Sequence, residues 1–185
     1  MLPERQTSRH AADLIFRPIK PDELDRAHAI LVDAVRWLNA RNIRQWTVPY
    51  PMQLYAEAQG RGENFGLFDD SVLLAIVTIW HGEAQNWKDE TGRAVWWMSR
   101  LAVSDRHRGQ GFGRVLTERA FAHLRQQSAT DAWLDCVQGR LPGYYASLGF
   151  ERMAQKIVAY PRGELEMVLM RRHFAKTCAP RHGAN

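Results

Sequence analysis

Ten residues rich in strand formers, Ala94–Val103 ("AVWWMSRLAV"), run directly into a basic glycine-rich turn, "RHRGQGFGR" at 106–114, and an amphipathic helix leaves it. A fold must place that strand, turn and helix in immediate succession. The first N–H groups of a helix lack internal partners and point outward together, and with the helix dipole they form a ready anion site. Gly109, Gly111 and Gly113 let the backbone take positive φ and approach a ligand closely. Arg108 and Arg114 add charge-assisted hydrogen bonds that suit phosphate oxygens. No Lys-Ser/Thr follows the glycines, which excludes a Walker A loop, and the glycine spacing does not make G-x-G-x-x-G. A dinucleotide fingerprint also belongs in the first β-α unit, whereas this turn follows the fourth strand.

The surrounding chain supplies the other elements. "ADLIFRPI" (Ala12–Ile19) alternates as a strand does, and Ala27, Leu31, Ala34, Val35 and Leu38 then recur at helical spacing behind Pro21 and Asp22. Ala40–Pro51 breaks that helix, and a second runs over Met52–Gln59. Asn64–Phe68 and Val72–Trp80 read as a hairpin, followed by a long turn at His81–Arg93. Phe112–Gln127 is helical, with Val115, Leu116, Ala120 and Leu124 inward. Ala132–Val137 is a buried strand, "LPGYYASLGF" a short helix turning at Gly149, and "ERMAQKIVAY" and "ELEMVLMRR" are closing strands. The order βααβββαβαββ predicts a mixed α/β fold around one sheet. A single domain over 12–172 is expected, with flexible tails at 1–11 and 173–185.

The net charge of +5 attracts anions, nucleic acid among them. No long basic helix interleaved with aromatics appears, so a nucleic-acid partner is not the first expectation. No apolar run approaches the ~20 residues of a membrane helix. The polar start "MLPERQTSRH" lacks the apolar centre of a secretory signal. Together these predict a cytoplasmic protein with no membrane partner. Cys136 and Cys178 have no partners at metal spacing, so inert reduced thiols and no metal are expected.

The motifs carry a resemblance. Arg108-Gly109-Gln110-Gly111-Phe112-Gly113 matches the (Gln/Arg)-x-x-Gly-x-(Gly/Ala) motif of the GNAT superfamily of N-acetyltransferases. "RLAVSDRH" resembles that family's fourth strand and its exit, and "YYASLGF" (Tyr144–Phe150) its Y-x-x-x-G-F segment. "WLNARNIRQW" (Trp37–Trp46) looks like the end of the first helix in many bacterial members. The resemblance covers about Leu14–Arg171. It implies a central, mostly antiparallel sheet of six to seven strands, splayed between strands 4 and 5 and flanked by helices. It also implies acetyl-CoA as co-substrate. Backbone groups of Leu101, Ala102 and Val103 would face the pantetheine arm, and the segment Arg108, Gly109, Gln110, Gly111, Phe112, Gly113 and Arg114 would hold the pyrophosphate.

Acyl transfer from a thioester to an amine needs a neutral amine, a donor for the developing oxyanion and a proton for the leaving thiolate. The resemblance gives the last role to Tyr145, five residues before Phe150, whose phenol has an ordinary pKa of about 10. Tyr144 is expected to point elsewhere. A backbone N–H within Leu101–Val103 would serve the oxyanion. Many relatives carry a carboxylate on strand 4; here Ser99 and Arg100 stand instead, so the base stays open between His81, Glu83 and a water relay through Ser99 or backbone carbonyls.

The segments that flank the acceptor in the family carry Gln45, Trp46, Trp80, Trp87, Asp89 and Glu90. Trp46, Trp97 and His81 are the expected acceptor contacts. No dense acidic cluster suited to a polycation appears, which favours a small amine or an amino-acid-like acceptor. A macromolecular amine (protein or aminoacyl-tRNA), a non-enzymatic acyl-CoA-binding module and a plain nucleic-acid binder are the alternatives. Either a monomer or a homodimer is compatible with the sequence.

Overall fold

Seven strands, counted among the described residues, join in one sheet of order β1-β2-β3-β4-β5-β7-β6. The computed structural model describes residues 13–46, 48–160 and 163–175. The strands are β1 (Ile15–Pro18), β2 (Asn64–Asp69), β3 (Val72–Gly82), β4 (Val95–Val103), β5 (Asp131–Val137), β6 (Glu151–Tyr160) and β7 (Gly163–His173). The helices are α1 (Leu24–Asn39), α2 (Met52–Gly60), the single turn α3 (Lys88–Thr91), α4 (Phe112–Gln126) and α5 (Leu141–Ser147). Every strand pair is antiparallel except β4–β5. Residues 1–11 and 176–185 of the expected tails lie outside the described residues, while β7 reaches His173. Cys178 lies outside them too.

The helices cover the sheet because each has one apolar stripe. On α1, Ala27, Ile30, Leu31, Ala34, Val35 and Leu38 are buried at intervals of three and four residues. Part of that stripe packs with Phe68, Leu73, Ile76 and Ala102 of the sheet. On α4, Leu116, Ala120, Phe121 and Leu124 pack against the opposite cluster, which includes Leu74, Val77, Leu134 and Val168. Each large side chain buried in this way contributes roughly 1.5–3 kcal/mol. Val115 is only half-buried, and Thr117 takes an inward position by donating its hydroxyl to Gly113 O at 2.8 Å.

The start of α1 is set by Glu23. Its buried carboxylate accepts the Lys20 N–H at 2.9 Å and two hydrogen bonds from Arg17, each 2.7 Å. These bonds hold it well below the ordinary 4.5, at about 2, with Arg17 the largest cause. The segment expected as a plain turn at 81–93 is more ordered than its polarity suggests. It holds a 3-10 turn, Gln85–Trp87, and then α3, because the Trp87 ring folds back into the core.

Candidate functional site

β4 and β5 share one registered pair, Trp97 opposite Trp133. Beyond it the strands part. Met98–Val103 and Leu134–Asp135 then face a common cleft of about 1220 Å³. With no partner strand on that side, the β4 backbone there keeps peptide groups free for a ligand. The end of α1, the loop before α2, the 106–114 turn and the start of α5 close the cleft around them.

A bulge shapes its centre. The β3–β4 register moves from Ile76 opposite Ala102 to Thr78 opposite Ser99, so β4 carries one extra residue. Arg100 lies in that stretch, with φ of 54°, a left-handed conformation that non-glycine residues seldom adopt.

The glycine turn forms one end of the cleft. Gly109 and Gly111 have φ of 78° and 85°, and a Cβ built on either would meet nothing within 4 Å. Backbone conformation, not space, therefore reserves both positions for glycine. Gly111 opens α4; the Arg114 N–H turns back to Gly111 O at 3.0 Å, which leaves the N–H groups of Phe112 and Gly113 as the helix's outward donors. Arg108 bonds Asp105 through one guanidinium nitrogen, but its other terminal nitrogen is buried without a partner. Its guanidinium also stands over the Trp37 ring at 5.4 Å. A buried donor left unanswered is costly, and an anion in the cleft would answer it. Arg114 lines the cleft as well and donates to Ser147 O at 3.3 Å.

Leu101, Ala102, Val103, Arg108, Gly109, Gly111, Phe112, Gly113, Arg114, Trp46 and Tyr145 thus share one cleft. Three predicted positions do not join them. Gln110 is exposed and turns its amide to Arg106 O at 3.2 Å. Trp97 is buried, stacked on Trp80 with its N–H bonded to Gly82 O at 3.1 Å. His81 stacks against Trp96 beside a separate small pocket with Arg93 and Asp131. Glu83, the other β3-end candidate, does not line the cleft either.

Tyr145 is half-buried and packs edge-on against Tyr144 and Phe150, at 5.3 and 5.9 Å between ring centroids. Burial first, then the charges of Cys136, Tyr144 and Asp135, pushes its phenol above the ordinary 10. It therefore stays protonated at neutral pH. Tyr144, expected to point elsewhere, lines the same cleft. Its hydroxyl stands against the start of α4, 2.7 Å from where a Cβ on Gly113 would sit. The Cys136 thiol is buried and pushed up to about 12, so it is not a nucleophile.

Asp135 on β5 was not among the expected residues. Its carboxylate lines the cleft and accepts the Trp87 indole N–H at 2.8 Å. Burial raises its pKa, and the Trp87 hydrogen bond offsets only part of that rise. A carboxylate whose affinity for a proton is raised by a dry setting is suited to general base work. The signal in the sequence was a charged residue inside the apolar run "AWLDCV".

Residues 31–150 match the model of the Acetyltransferase (GNAT) family. Over 159 residues the chain is 26% identical to the uncharacterized N-acetyltransferase YesJ of Bacillus subtilis (strain 168), covering 81% of this chain and 88% of that one. Among solved structures, a GNAT-family acetyltransferase of Listeria monocytogenes superposes with a TM-score of 0.69 at 17% identity, covering 87% of this chain and 95% of its own. A second neighbour, yncA of Salmonella typhimurium solved with acetyl-CoA, gives a TM-score of 0.64 at 17% identity, over 92% and 99% of the two chains. Among the described residues no helix is long and apolar enough to cross a membrane.

Proposed function

The chain belongs to the acetyltransferase (GNAT) family and is an acyltransferase, and from that premise we propose that it moves the acetyl group of acetyl-CoA directly to the primary amine of a small molecule. The co-substrate supplies an acetyl thioester and a pyrophosphate. The residues present fit it: the Arg108 donor without a partner, the left-handed glycines and the N–H groups of Phe112 and Gly113 at the start of α4 suit a pyrophosphate. The unpaired edge of Leu101–Val103 suits an amide-bearing arm, which would add to it as a strand does.

Within the cleft the chain offers one group for each proton. Asp135 accepts the proton of the incoming ammonium and leaves a neutral nitrogen lone pair. A backbone N–H in the Leu101–Val103 stretch is the donor for the developing oxyanion. Tyr145, kept protonated by its burial, donates to the leaving sulfur. His81 and Glu83 lie off the cleft, which favours Asp135 over them as base. Ser99 lines the cleft and is the remaining place for a water relay. Trp46 lines the acceptor side, and we place it against the acceptor's carbon skeleton.

The observation that carries this reading is the convergence of the glycine turn, Tyr145 and Asp135 on one cleft opened by the parting of β4 and β5. The test is thiol release from acetyl-CoA with a panel of amines, with acetyl-dependent mass gain of the acceptor as the second readout. Thiol release that tracks one class of small amines supports the proposal. Saturable acetyl-CoA binding with no release to any small amine would redirect it to a macromolecular acceptor or to a binding module.

A further inference from the structure

Arg100 is held in the cleft by neutral groups alone. Its guanidinium lies over the Tyr50 ring at 4.1 Å and donates to the Tyr50 hydroxyl, with a weak contact to Ser99 Oγ at 3.5 Å. Its Nε is buried and has no partner. Tyr50 is itself positioned, since its carbonyl oxygen lies 2.6 Å from His28 Nε2. Among the described residues no carboxylate pairs with Arg100. Asp135 lines the same cleft from β5, and its carboxylate accepts the N–H of the neutral Trp87 indole. The two opposite charges are not paired with each other or with any other described charged group.

An unpaired charge facing a largely apolar cavity is unfavourable until something neutralises it. A ligand that carries both signs does so in one step. The other cationic groups of the cleft are placed for different work. Arg108 and Arg114 belong to the glycine turn, Arg41 stacks on Trp37 beside Arg108 at 4.3 Å, and Arg140 is exposed at the start of α5. Ile43, Trp46, Leu165 and Met167 supply apolar lining of the same cleft.

We propose that the acetyl acceptor is an amino acid with an apolar side chain, its carboxylate paired with Arg100 and its ammonium facing Asp135. The inference rests on the acyl-transfer reading above. The planar guanidinium, already oriented by Tyr50, presents its N–H edge to a carboxylate in the fork geometry that lysine cannot reproduce. In the reaction the ammonium gives one proton to Asp135. The freed nitrogen lone pair forms the C–N bond to the thioester carbon, and the C–S bond breaks with its electron pair going to sulfur. Tyr145 protonates that sulfur and regains the proton lost from nitrogen. The proton taken by Asp135 leaves to solvent, so the products are the N-acetyl amino acid, the free thiol and one proton.

The experiment compares kcat/KM, by thiol release, for three matched sets: L-leucine, L-methionine and L-phenylalanine; their decarboxylated amines; and their amides. The expected result is a preference of 100-fold or more for the free amino acids over both other sets. Arg100→Ala should reduce that preference to threefold or less, and Arg100→Lys should restore part of it, while both variants bind acetyl-CoA with wild-type heat. Decarboxylated amines used equally well would overturn the inference and leave acetyl transfer to small amines standing. Amides used best would overturn it in favour of a peptide N-terminus. Arg100→Ala lowering all three sets equally would remove Arg100 from acceptor recognition and overturn it as well. No release with any set would sink both the inference and the small-amine reading.

Discussion

Trp87 donates its indole N–H to Asp135 at 2.8 Å, and this bond joins the turn before β4 to the β5 wall of the cleft. A buried ring thereby orients a carboxylate that an apolar strand would otherwise leave without direction. The consequence is chemical: a carboxylate that lines the cleft sits on β5, whereas the sequence left the base open between His81, Glu83 and a water relay through Ser99.

Asp135→Asn keeps an oxygen for Trp87 and removes the base. Turnover should fall by roughly 10²–10⁴-fold, the usual worth of a positioned general base. Because burial raises the Asp135 pKa, the wild-type rate should rise with pH as the carboxyl ionises, and that limb should vanish in the variant. The raised pKa also means that ionisation costs the folded state stability as pH rises past the ordinary 3.8. Melting curves should therefore show the Asn variant at least as stable as wild type at neutral pH. A variant with wild-type turnover and an intact acid limb would leave Asp135 without a role.

Tyr145→Phe removes one hydroxyl and keeps the edge-on packing with Phe150. We expect kcat to drop by at least tenfold with acetyl-CoA affinity unchanged. Tyr144→Phe touches the start of α4 instead and should weaken acetyl-CoA binding more than it slows the chemical step. Single-turnover rates and calorimetry on both variants separate the two tyrosines.

Glu23→Gln tests the anchor of α1. The carboxylate is held at about 2 against an ordinary 4.5, so its ionised form contributes up to about 3 kcal/mol above pH 4.5. That contribution is lost as pH falls from 4.5 to 2. Urea unfolding at neutral pH should show the variant less stable by about 2–3 kcal/mol, with the gap closing towards pH 2. A constant gap across that range would mean the ion pair with Arg17 is not its source.

Much of this architecture was legible in the chain because local patterns and tertiary packing agree. The α1 stripe, the continuous apolar run of β3 and the glycine turn are each read from a single segment. So is the anion site we propose on that turn, since a helix start needs no distant partner to expose its N–H groups. What stayed hidden depends on segments far apart in sequence. Asp135 gains its setting from Trp87, 48 residues earlier, and Arg100 gains its orientation from Tyr50, 50 residues earlier. Trp97 and His81 fall outside the cleft, the first buried and the second exposed at the end of β3, because aromatic residues beside a site and aromatic residues away from it look alike in sequence. The pairing of β4 with β5 at one position puts Trp97 under the sheet, stacked on Trp80.

Gln45 accepts the Val137 N–H at 2.7 Å across 92 residues and so ties the loop before α2 to the end of β5, at the end of the cleft where we propose the acceptor binds. Gln45→Ala frees the loop before α2 and strands that amide. The KM for the acceptor should rise about tenfold, while the KM for acetyl-CoA stays within twofold. Equal changes in both would mean that the contact supports the whole cleft and not its acceptor end.

The most direct test of the account is calorimetric titration of acetyl-CoA into the wild-type chain and into Gly111→Glu, with circular dichroism to verify that both are folded. At 111 the backbone is left-handed and opens α4, so a glutamate there strains the turn by about 1–2 kcal/mol and sets a negative charge where the pyrophosphate would lie. The account predicts a saturable one-site heat for wild type and none for the variant. Equal heats for the two folded proteins, or none for wild type at millimolar co-substrate, would contradict it.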